Sequence, residues 1–267
     1  MIEIFLLAAM AMAFAGSFAA GLWDLKTSDI PDEVICLMTI LGIFIWYVYA
    51  LTFGIFSIMI TSLILGTAIL AAGWLLYNRG MWGFGDATLF ASIFYLLPDM
   101  ALFFDYIFNL VLVMLVYLIA YSVIVGIRTK GTFQEFSSKI NKQKYTVGIV
   151  TAIAVFFALF AYQFFGTYSL WIIAIPVMAI FAVYARALEK KAFVKRINYS
   201  QLKEGDVLLE SKKWKGLGKA EAELLRKRKG FVTVKDGVRM GMVFPITLLL
   251  TILYGNIMIL LLFGFAY

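Results

Sequence analysis

The chain has 267 residues, 63% of them hydrophobic and 15% charged, with a mean hydropathy of +0.94. Soluble domains stay near ~45–50% apolar, so this composition excludes an ordinary water-soluble fold and asks for lipid as solvent. The net charge is +7, with no histidine and one cysteine. Those absences exclude Ser-His and Cys-His nucleophiles, HExxH zinc chemistry, cysteine-rich zinc sites and intrachain disulfides. Chemistry must come from carboxylates, lysine, tyrosine or hydroxyls. No cofactor, no metal and no nucleic-acid partner is expected.

Hydropathy over windows of about 19 residues predicts eight spans, near 3–22, 34–53, 55–77, 87–98, 102–126, 147–165, 168–186 and 243–265. The fold class is therefore an all-α polytopic membrane protein with a small α+β insertion before the last helix. The first span lacks a basic segment before it and carries Glu3, so it reads as a retained helix with its N-terminus outside. Segments 23–33, 78–86, 127–146 and 187–242 then fall on the cytoplasmic side with 1, 1, 5 and, counted from Arg186 at the end of the span before it, 16 basic residues, all 23 in the chain. No Lys or Arg is left for an outside loop, as the positive-inside rule demands.

This division gives a transmembrane catalytic domain over 1–186 with seven spans, a cytoplasmic basic α+β domain over 187–242, and a final transmembrane helix over 243–267. Within the middle part, Asp206-Val207-Leu208-Leu209 reads as a short strand and 219–229 as a helix. Residues 231–240 read as a hairpin turning at Lys235-Asp236-Gly237. The positive charge of this part suits the anionic lipids of the inner leaflet. The 127–146 segment reads as a basic loop that anchors topology, and Cys36 as a small packing residue.

Carboxylates at span ends are functional candidates because charge is costly in hydrocarbon. Asp24 follows the first span in Gly21-Leu22-Trp23-Asp24-Leu25-Lys26, and Asp86 closes Gly80-Met81-Trp82-Gly83-Phe84-Gly85-Asp86. The span after Asp86, Ala87 to Pro98, has only 12 residues, ~18 Å of helix against a ~30 Å core, so its ends are recessed. Gly83 and Gly85 permit a sharp bend or a close approach. Each acid alone also has a plain structural reading: Asp24 as an interfacial charge, Asp86 as a helix cap. Together they lie at one depth on one face, where two nearby carboxylates share a proton and can divide general-base and general-acid work.

These residues also carry a family resemblance. Gly83-Phe84-Gly85-Asp86 resembles the GxGD motif of intramembrane aspartyl proteases, and Asp24 to Asp32, with Ile30-Pro31 near its end, resembles the signature after the first helix of type IV prepilin peptidases. Leu202 to Val207, Trp214 to Leu217, Lys235 to Arg239 and the Pro245-bearing last helix are similar to the archaeal preflagellin (prearchaellin) and prepilin peptidases. The resemblance implies an aspartic-type endopeptidase that removes class III signal peptides from prepilin- or prearchaellin-like precursors at the cytoplasmic membrane face, with Asp24 and Asp86 catalytic. Without the cysteine tetrad of bacterial relatives, no methyltransferase activity is expected.

Asp29, Asp32 and Glu33 form an acidic cluster that could receive a basic leader; they could equally be the helix-favouring acids of the second span. The rival reading is an ion- or proton-coupled transporter binding cations at Asp24 and Asp86. It predicts mid-bilayer acids and repeat symmetry, whereas these acids sit at span ends and no repeat is evident.

Overall fold

The computed structural model describes residues 2–166, 169, 172, 174–203, 205–210 and 216–263. Five helices are long and apolar enough to cross a membrane: α1 (Ile2–Thr27), α2 (Asp32–Phe53), α3 (Ser57–Asn78), α5 (Met100–Arg128) and α6 (Thr132–Phe165). Shorter apolar helices are α4 (Phe84–Leu96) and α9 (Val243–Tyr254), and α7 (Ala174–Leu188) follows α6. The chain is a polytopic helical membrane protein. Before its last helices stands a small sheet of β1 (Val194–Asn198), β2 (Val207–Leu208) and β3 (Phe231–Lys235), with α8 (Lys219–Arg226) between β2 and β3.

The helix α4 is the centre of the bundle. Its 13 residues rise only ~20 Å, too little for a ~30 Å core. It is enclosed by α1, α2 and α3, and Leu89 to Leu97 are buried without a break. A helix ending inside a bundle must find partners for its last carbonyls. Trp46 Nε1 of α2 donates to the Leu96 carbonyl at 3.0 Å, and Ser62 Oγ of α3 donates to the Tyr95 carbonyl at 2.6 Å. Pro98 stops further helix because the residue before proline avoids the α region. The close fit depends on absent side chains: a Cβ on Gly42 would lie 2.7 Å from the Tyr95 carbonyl carbon and oxygen, and one on Gly73 2.5 Å from Ala87 Cβ. Small residues at such crossings let helix backbones approach in lipid, where packing replaces the hydrophobic drive.

Beside α4 lies an aromatic cluster shared with α5 and α9. Phe90 stacks on Tyr106 at 5.5 Å between ring centroids, meets Phe94 edge-on at 5.5 Å, and lies 6.2 Å from Phe244. Tyr106 Oη donates to the Phe244 carbonyl at 3.1 Å. At the far end, buried Asn109 of α5 donates to Thr251 Oγ1 and to the Gly255 carbonyl, and accepts from the Ile257 N–H. These bonds hold a break between α9 and α10 (Ile257–Phe263).

Four expectations are corrected. The last span is not one helix: it breaks at Gly255-Asn256, where Asn109 satisfies the freed backbone. The basic 127–146 segment is mostly helix, the polar first half of α6 after a short turn at Gly131 (φ 84°). Windowed hydropathy averaged out its apolar period, Phe133, Phe136 and Ile140; Phe136 meets Tyr184 of α7 edge-on at 5.6 Å. Glu135 on the same half accepts from Lys190 at 2.8 Å. At ~1.5 Å per residue, 34 residues reach about 50 Å, so that half projects beyond a ~30 Å core.

The 231–240 hairpin is not formed, because β3 pairs antiparallel with β1 and β2 and residues 236–240 run on as a strap. Cys36 is exposed on the outside of α2 rather than packed. The predicted strand at 206–209 and helix at 219–229 do form, as β2 and α8. Part of the predicted 168–186 span, with Glu204, Trp214 and Lys215, lies outside the described residues.

Gly42→Val should force α2 away from α4 and cost about 1–3 kcal/mol. Trp46→Phe, which strands the Leu96 carbonyl, should cost a similar ~1–3 kcal/mol. Unfolding measured in bicelles checks both.

Candidate active site

Three connections meet at one end of the bundle: the α1–α2 turn, the α3–α4 loop and the strap leading into α9. The turn is tight. Ser28 takes φ 62°, and its N–H donates to the Asp24 carbonyl at 2.8 Å. Pro31 then stands at the N-cap of α2 in extended backbone (φ −65°, ψ 124°), a geometry proline presets. Between them Ile30 turns inward and is 7% exposed.

The α3–α4 loop begins at Gly80 (φ 71°). Its N–H bonds to the Tyr77 carbonyl while that of Met81 bonds to Leu76, a Schellman end that requires the left-handed backbone glycine allows. Trp82 packs inward, stacking on Phe244 at 6.4 Å. Gly83 caps α4 in extended backbone, which makes Asp86 the third residue of the helix rather than its cap. A carboxylate in a first helical turn faces the free N–H groups there, which favours it. The Asp86 side chain lies back over Gly83, where an added Cβ would come 2.9 Å from Oδ2.

Ile30 joins the two motifs. A Cβ on Gly85 would sit 3.2 Å from Ile30 Cβ, so the α1–α2 turn rests directly on the first turn of α4. Asp24 and Asp86 therefore belong to elements in contact, and each is within electrostatic reach of the other.

Asp24 is 6% exposed and has partners that the sequence reading did not name. The Gly241 N–H donates to its Oδ2 at 2.8 Å. Strap and helix touch at two glycines: a Cβ on Gly21 would lie 2.9 Å from the Gly241 carbonyl, and one on Gly241 2.9 Å from Asp24 Cβ. Arg239 Nε donates to Ser28 Oγ at 2.8 Å, and its guanidinium also donates to the Leu25 carbonyl. Tyr117 Oη of α5 donates to the Arg239 carbonyl at 2.6 Å. Arg239 stood in the quoted Lys235-to-Arg239 pattern, but assigning that stretch to a hairpin hid its approach to Asp24. Gly241 offered only its position four residues before Pro245.

The remaining candidates fall into two groups. Pro245 is buried in the first turn of α9, directly after Phe244 of the aromatic cluster. Asp29, Asp32 and Glu33 are exposed at the same end of the bundle, Asp32 and Glu33 in the first turn of α2. Asp29 lies within electrostatic reach of Asp24.

Residues 7–129 match the family described as the type IV leader peptidase family. The match covers under half of the chain, and over those residues the chain is similar to that family. The matched range holds α1 from Leu7 onward and α2 to α5, and with them Asp24, Asp86 and both glycines of the Gly83-to-Asp86 motif. It supports a prepilin-type peptidase role. No curated protein and no solved structure matches the chain significantly.

Gly85→Val should push Ile30 off α4 and lower the unfolding temperature, since overpacking of this kind costs about 1–3 kcal/mol. A companion Ile30→Ala should restore part of that loss. Melting curves of the single and double variants in detergent test the contact.

Proposed function

We propose that this protein is a membrane aspartyl endopeptidase of the GxGD type, cleaving class III signal peptides from prepilin- or prearchaellin-like precursors at the cytoplasmic face of the cell membrane. The observation that carries this reading is the packing of Ile30, in the turn after Asp24, on Gly85, beside Asp86, which brings the two acid-bearing elements together inside the leader-peptidase match. Peptide hydrolysis by two carboxyl groups needs no cofactor. One carboxylate accepts a proton from water as its oxygen attacks the scissile carbonyl carbon, while the other carboxyl group protonates the carbonyl oxygen. As the resulting diol collapses, one of its hydroxyls returns a proton to the second carboxylate, the C–N bond breaks, and the leaving nitrogen takes a proton from the carboxyl group that first accepted one.

In this reading residues 1–186 form the catalytic membrane domain, 187–242 a basic cytoplasmic domain beside anionic lipid, and 243–267 the closing transmembrane segment. The N-terminus is outside. The precursor presents a short basic leader before a hydrophobic helix, and Asp29, Asp32 and Glu33 receive the leader by charge-assisted contacts. A transporter reading has less support, because Asp24 and Asp86 lie at helix ends rather than in mid-span.

Membranes holding the protein should process a prepilin-like precursor, and Asp24→Asn or Asp86→Asn should each abolish processing on an immunoblot. Processing that survives both substitutions defeats the assignment. Asp29 is in reach of Asp24, so the leader contact is better tested with Asp32→Lys and Glu33→Lys. Those variants should raise KM about tenfold or more, as losing charge-assisted contacts does, with kcat little changed. Equal changes in both constants remove the leader-binding role.

A further inference from the structure

The proposed function leaves the three-stranded sheet without a task, although one end of it leads straight to Asp24. Strand β3 is the central strand, paired with β1 from Val194↔Lys235 to Asn198↔Phe231 and with β2 at Val207↔Lys235 and Leu208↔Val234. The chain leaves β3 at Lys235 and reaches Gly241 within six residues. Along that strap every fixed point is visible. The Asp236 N–H donates to the Phe193 carbonyl at 2.8 Å, and its carboxylate pairs with Lys195 Nζ at 2.5 Å. Phe193 stacks on Tyr121 of α5 at 6.4 Å, and Tyr121 stacks on Tyr117 at 5.9 Å. Tyr117 holds the Arg239 carbonyl, Arg239 holds Ser28 and the Leu25 carbonyl, and Gly241 holds Asp24.

Resting on the aspartyl-protease reading above, we infer that the strap 236–241 is a positioning device for Asp24, with Arg239 its positioning residue and the Gly241 N–H the donor that orients the carboxylate. The argument is geometric. Asp24 ends no turn of its own and caps no helix; its orientation about the side-chain bonds is set from outside α1 by one backbone N–H. That N–H comes from a segment with no regular structure, which by itself would not hold a hydrogen bond to a tenth of an ångström. Rigidity is supplied at Arg239, whose side chain grips the end of α1 at two points while its carbonyl is gripped by α5. The strap thereby spans α1 and α5 and carries the order of the sheet to the carboxylate. Arg239 touches neither substrate nor reacting atoms in this role. Support of this kind governs how often the reacting groups are aligned, and a misplacement near 1 Å can cost about 10²-fold in rate.

Charge alone would not explain the arrangement. The groups facing Asp24 are Asp86 from α4, Asp29 from the α1–α2 turn, Arg239 from the strap, and Tyr117 and Tyr121 from α5. A lysine at 239 would keep the positive charge but could not reach Ser28 Oγ and the Leu25 carbonyl together in the fork that guanidinium provides.

The test uses the full-length protein in detergent-lipid micelles and a synthetic precursor with a basic leader followed by a hydrophobic helix. Arg239→Ala should lower kcat about 10–100-fold with KM within about twofold, the pattern of lost transition-state alignment rather than lost binding. Arg239→Lys should fall between Arg239→Ala and wild type. Tyr117→Phe, which leaves the arginine in place and removes only its carbonyl anchor, should lower kcat about two- to fivefold in the same direction. An unchanged kcat in Arg239→Ala or Tyr117→Phe overturns the inference, as does a rise in KM matching the fall in kcat, which would make Arg239 a substrate contact. A readout free of proteolysis accompanies the kinetics: carbodiimide labelling followed by mass spectrometry. Labelling of Asp24 should be faster in Arg239→Ala than in wild type, with Asp86 labelled alike in both; equal labelling of Asp24 counts against the strap. Should wild type fail to cleave while labelling responds as expected, the protease reading fails and the positioning role stands.

Discussion

A helix too short to cross the bilayer organises this molecule. The backbone of α4 ends where no water can reach its carbonyls, so neighbouring helices must supply both enclosure and hydrogen bonds. Trp46 and Ser62 supply the bonds, and glycines at the crossings supply the room. Leu89 to Leu97 are buried against these neighbours, and the one charged residue of α4, Asp86, stands in its first turn beside the α3–α4 loop.

Around that helix the two signature motifs become one structure. Ile30 lies against Gly85, so the turn after α1 and the first turn of α4 form a single packed corner, and the carboxylates on either side of it feel each other's charge. Prolines and glycines in these motifs serve the corner: Pro31 starts α2 directly after the turn, Gly80 closes α3, and Gly83 starts α4. A motif that reads as a string of spacings is, physically, a set of backbone geometries that seat one helix end on another.

The parts beyond α5 relate to this corner in different ways. The α6–α7 pair packs mainly on itself and joins the bundle along α5, with Tyr184 Oη donating to the Ser122 carbonyl at 2.8 Å. In contrast, α9 runs beside α1 and α5, and Phe244 enters the aromatic cluster under Trp82. The strap before α9 is the only stretch of the later chain whose hydrogen bonds, among the described residues, reach Asp24 itself. The second half of the sequence thus reaches Asp24 by hydrogen bond, among the described residues, at Gly241, while Phe244 packs on the α3–α4 loop at Trp82.

Much was legible from the one-dimensional pattern. Apolar runs of about 20 residues marked the long spans, because a bilayer fixes how much uninterrupted apolar chain a helix needs. The shortness of the fourth span was read from the 12 residues Ala87 to Pro98. Less visible were elements whose pattern is mixed. The first half of α6 is polar on average yet helical, held by three aromatic or aliphatic positions on one face and by Glu135; the last span looked continuous until Asn109, 146 residues away, held Gly255. Strand β3 alternates like a hairpin arm, but its partners are β1 and β2, which local sequence cannot nominate. So the sequence by itself determined that two carboxylates stand at span ends on one face, since charge, length and hydropathy are local quantities. Only the tertiary structure decided that Ile30 seats one motif on the other and that Gly241 holds Asp24, because those contacts join residues 55 and 217 positions apart in the chain.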